Sequence, residues 1–298
     1  MMLCRFYLPN QGARVGLLRD GWVYDLTASG RPHLTTFAAL LQMSVTQPIS
    51  ALIQDVDLGC LPTLAYRELD RAPGAGHAYL LPPVDRQEVW AAGVTYAWSR
   101  EARVREARAK EIYVRVYEAD RPELFFKALA EKVVGPNDWI GLRGDSRWNV
   151  PEPELALLVN PACHIVGYTV ANDVSSRDIE GENPLYLPQA KIYRHSCALG
   201  PVVTPADEAT DNPNLGIRLS ITRAGERVFA AETSTGRMNR RLDDLAAYLG
   251  HYNDFPYGAC LLTGTGIVPG DDFTLQDGDA VAIEIDRIGV LRNTVHQM

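Results

Sequence analysis

Residues 150–159 place the hardest constraint on this chain: Val150-Pro151-Glu152-Pro153-Glu154-Leu155-Ala156-Leu157-Leu158-Val159. The five apolar residues that end the stretch demand a buried strand. In a strand, Glu152, Glu154, Ala156 and Leu158 share one face, and Leu155, Leu157 and Val159 share the other. Both faces become apolar, so the strand is expected to be covered on both sides. Two carboxylates then sit ~7 Å apart on a buried element. At an effective dielectric near 20 their repulsion is about 2–2.5 kcal/mol before any desolvation cost. Solvent at the strand start, basic partners, a shared proton or a divalent cation could each offset it. The prolines favour solvent, because proline interrupts a ladder and marks a strand end or edge. Spacing alone therefore ranks a metal below solvent.

Two later stretches bear on the same question. Ala171-Asn172-Asp173-Val174-Ser175-Ser176-Arg177-Asp178 follows an apolar strand run that ends near Val170. Asp173 could supply a third oxygen ligand, and three carboxylates with open positions suit Mg²⁺, Mn²⁺ or Ca²⁺ rather than zinc. The bland alternative is an Asx turn, with Arg177 paired to Asp178 or another acid. Lys191 stands alone among small and apolar residues in Pro188-Gln189-Ala190-Lys191-Ile192. Most such lysines snorkel to water, and a minority pair with a buried carboxylate or a substrate anion.

The chain has 298 residues, enough for one large domain or two small ones. A formal net charge of -8 argues against a nucleic-acid partner. No apolar run approaches the roughly 20 residues of a membrane span, and the N-terminus lacks the apolar core of a secretory signal. The five cysteines are scattered and form no CxxC pair, so neither a disulfide framework nor a structural zinc site is expected. A cytoplasmic protein with buried thiols follows. Residues 1–84 read as a small N-terminal module. It holds a hairpin around Asp20-Gly21, helices near 36–43 and 48–55, and a stiff connector, Leu81-Pro82-Pro83-Val84, at its end. Residues 85–298 are strand-rich, with candidates at 89–94, 155–159, 165–170, 217–222 and 280–285. Helices are expected at 242–249 and at 100–111, the latter a charged surface helix or a cover over a site. Phosphate-binding and nucleophile-elbow motifs are absent.

Taken together, Glu152-Pro153-Glu154-Leu155, the run from Gly167 through Asp173 to Asp178, Lys191 and Leu199-Gly200-Pro201 resemble the fumarylacetoacetate hydrolase superfamily. Pro122-Glu123-Leu124-Phe125-Phe126-Lys127 and Leu262-Thr263-Gly264-Thr265-Gly266 match further segments of that family. The resemblance spans about residues 84–298. It implies an α+β, strand-rich fold: a mixed β-sandwich roll carrying a small N-terminal α+β domain. It also implies a homodimer or homotetramer, and Mg²⁺ held by Glu152, Glu154 and Asp173, with Mn²⁺ or Ca²⁺ as alternatives. Lys191 would face the substrate, a small 2-oxo acid whose C2 carbonyl the cation polarises to stabilise an enolate.

One departure bears on the chemistry. Hydrolytic members read Gly-x-Asn-Tyr-x-x-His after the linker, and that His activates water. Here Gly93-Val94-Thr95-Tyr96-Ala97-Trp98-Ser99 puts Ser99 at the position of the His, and Ser is a poor general base. The segments 121–127 and 180–191 are similar to those of 2-keto-3-deoxy-sugar-acid dehydratases. That resemblance implies a hydro-lyase turning a 2-keto-3-deoxy pentonate, such as 2-keto-3-deoxy-D-arabinonate, into 2,5-dioxopentanoate. Lys191 would take the C3 proton and Glu123 would protonate the leaving C4 hydroxyl, or the two would exchange roles. Thr265 and neighbouring backbone N–H groups would bind the carboxylate, and Ser99 and Arg100 the sugar hydroxyls. The competing readings are an acylpyruvate- or fumarylpyruvate-type hydrolase, an oxaloacetate decarboxylase, and a non-catalytic sugar-acid binding protein.

Overall fold

Asp20 and Gly21 both adopt positive φ, at 51° and 78°. They close a two-residue turn whose twist matches the strands it joins, β2 and β3 below. The computed structural model describes residues 1–97, 115–206 and 213–298. In chain order its strands are β1 (Met2–Leu8), β2 (Gly12–Arg19), β3 (Trp22–Asp25), β4 (Thr63–Ala65), β5 (Tyr79–Leu81) and β6 (Glu88–Gly93). Next come β7 (Glu123–Leu129), β8 (Trp139–Leu142), β9 (Asn149–Val150), β10 (Pro153–Val159), β11 (Ile165–Asp173) and β12 (Ser175–Ser176). The last are β13 (Cys197–Pro205), β14 (Gly216–Arg223), β15 (Glu226–Ser234), β16 (Ala259–Leu262), β17 (Ala280–Ile285) and β18 (Gly289–Gln297).

Among the described residues these strands form three sheets. The largest has eleven strands and runs β4-β3-β2-β1-β13-β11-β10-β16-β6-β7, with β5 also paired to β1. A five-stranded sheet runs β15-β14-β17-β18-β8, and β9 pairs only with β12. Strand β10 lies between antiparallel β11 and antiparallel β16, and all of its residues are buried. Its two faces serve different cores. Leu155, Leu157 and Val159 pack in one cluster with Leu219, Ile221, Val281 and Ile283 of the five-stranded sheet. Ala156 packs with Val89, Ala91, Leu199 and Leu262, and Leu158 with Leu40, Leu41 and Val203. The alternation expected from the sequence holds, and the architecture is the strand-rich α+β sandwich expected.

The N-terminal strands extend the same sheet through the single pairing of Leu3 with Val203. Helix Phe37–Met43 starts where Thr36 Oγ1 accepts from the Ala39 N–H. The Asp85 carboxylate accepts from the Phe37 and Ala38 N–H groups at 2.7 and 3.0 Å, which ties this helix to the segment leading into β6. The helix Ile49–Gln54 follows directly after Pro48, within the expected 48–55.

Several details differ from expectation. Strand β5 occupies Tyr79–Leu81, just before the prolines, because it pairs with Tyr7, Phe6 and Arg5 of β1. Strand β11 runs on to Asp173, since β13 continues to pair with it. Of the five thiols, Cys60 is exposed and Cys163 half-buried, so only three are core residues. The helix expected at 100–111 lies outside the described residues.

On β16, Leu261 packs in the cluster that holds Leu155, Leu157 and Ile283. Leu261→Ala, at a fully buried position, should cost about 2–5 kcal/mol in denaturant unfolding.

Candidate active site

Glu152 and the first residues of β10 lie against the end of β11. The Asp173 N–H donates to Glu152 O at 3.0 Å, and the Glu152 N–H donates to Asn172 Oδ1 at 3.2 Å. This pairing brings Glu152, Glu154 and Asp173 together. Their carboxylate oxygens fall within 4.8 Å of one another, and all three residues are buried. Among the described residues this is the one such group of metal-donor side chains. Solvent at the strand start, the reading the prolines favoured, is ruled out: Glu152 is 3% and Glu154 1% exposed. Pro153 sits at the first residue of β10, where a missing N–H is tolerated even inside a sheet.

Basic partners offset part of the repulsion. Lys191 ends the short helix Leu187–Lys191, which begins with Pro188 in its first turn. Its Nζ donates to Glu152 Oε2 at 2.8 Å, Asp173 Oδ2 at 2.9 Å and Ser175 Oγ at 2.6 Å. The buried Lys127 forms an ion pair with Asp173 Oδ1 at 2.5 Å. Arg177, also buried, pairs with Glu180 at 2.8 Å and with Glu152 at 3.5 Å. Lys127, Arg177 and Glu180 were not singled out as site residues from the sequence. A lysine in the Phe-Phe-Lys segment and an arginine four residues after Asp173 were the available signals. Asp178 is not part of the cluster. It accepts from Ser146 Oγ and from the Arg147 N–H near the surface.

Four buried carboxylates (Glu152, Glu154, Asp173 and Glu180) thus face three buried cations (Lys127, Lys191 and Arg177). Burial, then Asp173, then Glu152 push the Glu154 carboxyl well above its ordinary range, against the pull of Lys191 and the Gly264 N–H. A proton on Glu154 is one way to neutrality, and a divalent cation is another. All-oxygen, charged donors at this separation suit a hard ion such as Mg²⁺. A Mg²⁺ ion and the carboxylate of a bound acid together add one positive charge, which balances the cluster's formal excess of one negative charge.

A narrow cleft opens onto this cluster, lined by Ala92, Gly93, Val94, Phe125, Glu152, Asp173, Arg177, Lys191, Gly264 and Thr265. No histidine is among these residues. Glu123, at the start of β7, lies against the cleft wall: a Cβ on Gly93 would fall 2.0 Å from its Oε2. Val94 holds φ of 53°, an uncommon backbone for a β-branched residue, at the cleft rim. Thr265 lines the cleft, but its hydroxyl donates to Ile267 O at 3.0 Å and accepts from the Ile267 N–H at 3.2 Å. Ser99 and Arg100 lie outside the described residues. Cys197 is close by, but burial pushes its thiol up to about 12, which makes it no nucleophile.

The Fumarylacetoacetate (FAA) hydrolase C-terminal family matches residues 88–296. The chain belongs to the fumarylacetoacetate hydrolase family. Among its relatives is a probable 2-keto-3-deoxyxylonate dehydratase of Haloferax volcanii, 45% identical over 95% of each chain. A 2-dehydro-3-deoxy-D-arabinonate dehydratase of Saccharolobus solfataricus is 46% identical over 70% of this chain and 72% of its own. A solved 2-keto-3-deoxy-D-arabinonate dehydratase, complexed with magnesium and 2,5-dioxopentanoate, superposes with a TM-score of 0.85 at 35% identity. That match covers 100% of this chain and 99% of the solved one.

Two predictions follow from this geometry. The raised Glu154 carboxyl binds a proton in the folded state that the unfolded chain releases in the ordinary carboxylate range. Raising the pH through that raised value therefore destabilises the metal-free protein, whereas Mg²⁺ needs the ionised form. The rise in Tm caused by Mg²⁺ should be larger near pH 8 than near pH 5, and an equal rise at both would contradict the assignment. The second concerns Gly264, whose N–H donates to Glu154 Oε2 at 2.6 Å from a backbone with φ of 88°. A Cβ there would lie 2.1 Å from Thr95 Oγ1. Gly264→Ala should cost about 1–3 kcal/mol in thermal unfolding and weaken Mg²⁺ binding in calorimetry.

Proposed function

We propose that the chain is a Mg²⁺-dependent dehydratase of a 2-keto-3-deoxy sugar acid, most simply a pentonate that yields 2,5-dioxopentanoate. The observation that carries this reading is Lys191 Nζ, held between Glu152 and Asp173 on the wall of a buried cleft. The likeness to two sugar-acid dehydratases along most of the chain supports it. Glu152, Glu154 and Asp173 hold the cation. When bound, Mg²⁺ supplies Lewis-acid polarisation of the C2 carbonyl and positive charge opposite the anion that develops there.

The remaining work belongs to side chains. Lys191, with its amine unprotonated, takes a C3 proton. Loss of the C3 proton leaves an enolate across C2 and C3, and its electrons form the C3=C4 double bond in a second step as the C4–O bond breaks. Glu123 delivers a proton to the departing hydroxyl, which leaves as water. The resulting 5-hydroxy-3-ene becomes the dioxo acid when a proton moves from C5 to C3, which leaves an enol across C4 and C5, and the O5 proton then moves to C4. The Thr265 hydroxyl is engaged by Ile267 and the Gly264 N–H by Glu154, so the backbone N–H groups of Thr265 and Gly266 are the better donors for the substrate carboxylate. Ser99 and Arg100 are proposed to meet the sugar hydroxyls. The absence of histidine from the described cleft lining favours elimination over water-dependent C–C cleavage.

The same reading treats residues 1–84 as an accessory unit and residues 85–298 as catalytic. It places the enzyme in the cytoplasm, in keeping with five free thiols. It makes the enzyme a homodimer or homotetramer, and the exposed edge strand β15 supports such an assembly. No described helix is long and apolar enough to cross a membrane.

A screen of 2-keto-3-deoxy pentonates, hexonates and acylpyruvates with Mg²⁺ tests the substrate class. Dehydration of a pentonate is expected. Failure to consume any 2-keto-3-deoxy acid, or faster turnover of acylpyruvates, would overturn it. Proton exchange separates the two catalytic roles. Lys191→Ala should lose both turnover and exchange of the substrate C3 hydrogens into D₂O. Glu123→Gln should lose turnover by roughly 10²–10⁴-fold yet keep that exchange.

A further inference from the structure

The rear of the carboxylate cluster carries a group that the proposed reaction does not use. Lys127 Nζ is fully enclosed, with its side chain 0% exposed. It does not line the catalytic cleft; it borders a separate pocket formed with Ile192, Tyr193, Arg194, His195 and Ser196. From that side it reaches Asp173 Oδ1 at 2.5 Å, while Lys191 holds Asp173 Oδ2 at 2.9 Å from the cleft side. Its other partners are the backbone of the site itself. It donates to Lys191 O at 2.5 Å and to Val174 O at 3.3 Å, and lies 3.4 Å from Ser196 Oγ. Ser196 Oγ in turn donates to Lys191 O at 2.8 Å and Tyr193 O at 2.9 Å.

One ammonium therefore grips a proposed metal ligand, the residue after that ligand and the carbonyl of the proposed base. A carboxylate that ligates a metal with one oxygen needs its other oxygen held if its plane is to stay fixed. An exposed lysine would supply little order, but a buried one with four oxygen neighbours has nowhere else to go. Its burial also makes it expensive to leave unpaired, so Asp173 and Lys127 lock each other in place.

We propose that Lys127 is a positioning residue. From behind the site it sets the orientation of Asp173 toward the metal and the distance of Lys191 from it, without touching substrate. The proposal rests on the Mg²⁺ site proposed above. It predicts that Lys127→Met weakens Mg²⁺ binding and lowers kcat, each by about 10–100-fold, while KM for the sugar acid at saturating Mg²⁺ moves little.

The test is calorimetric titration with Mg²⁺ alone, together with steady-state kinetics and circular dichroism. If the wild-type protein binds no Mg²⁺, the functional reading itself fails. If the wild type binds Mg²⁺ and a folded Lys127→Met binds it equally well, the positioning role alone is overturned. If Lys127→Met does not fold, Lys127→Arg decides. It keeps the charge but spreads it over a planar fork that cannot meet the same acceptors. Mg²⁺ affinity weakened by about tenfold or more supports the proposal, and wild-type affinity contradicts it.

Discussion

Four carboxylates and three cations gather where the buried ends of β10 and β11 meet β7 and the helical segments that carry Arg177 and Lys191, and the molecule around them is organised to hold that charge away from water. Removing one partner from a buried ion pair commonly costs about 3–5 kcal/mol, because the other charge is left without compensation. The cluster therefore has little freedom to rearrange. Lys127 and Lys191 grip opposite oxygens of Asp173, Arg177 bridges Glu152 and Glu180, and the Gly264 N–H reaches Glu154. The same charge that is costly to bury also binds a divalent cation and an acidic substrate, so stability and chemistry draw on one arrangement.

The sheet makes that arrangement possible. Strand parity sends Leu155, Leu157 and Val159 of β10 into the core shared with the five-stranded sheet, and turns Glu154 to the opposite face. Further along that face Ala156 and Leu158 are packed, so the polar end of the strand is short and closed off. The parallel pairing of β16 with β6 puts the 263–266 loop next to Gly93 and Val94 at the rim of the cleft. Glycine is required twice there. Gly93 yields its side-chain space to Glu123, and Gly264 yields its own to Thr95.

Much of this was legible in the sequence. The Asp20-Gly21 turn, the two faces of β10 and the grouping of Glu152, Glu154 and Asp173 with Lys191 are all as expected. The prolines misled. Pro151 and Pro153 suggested solvent, yet the strand they open is central, because its neighbours pair around the missing N–H groups. The helix Leu187–Lys191 has only five residues, too few for a periodic pattern, so the orientation of Lys191 could not be read. Lys127 and Arg177 looked like ordinary charged residues. Only tertiary pairing buries them, and no local pattern reports which acids they will meet.

The central claim is that this cluster is a cation site rather than a self-neutralised ion-pair network. The most direct test is anomalous diffraction from crystals equilibrated with Mn²⁺ in place of Mg²⁺. The account predicts a peak within coordination distance of Glu152, Glu154 and Asp173, lost in Glu154→Gln. Crystals that show no peak among the three carboxylates at saturating Mn²⁺, with the ion bound only elsewhere, would contradict it.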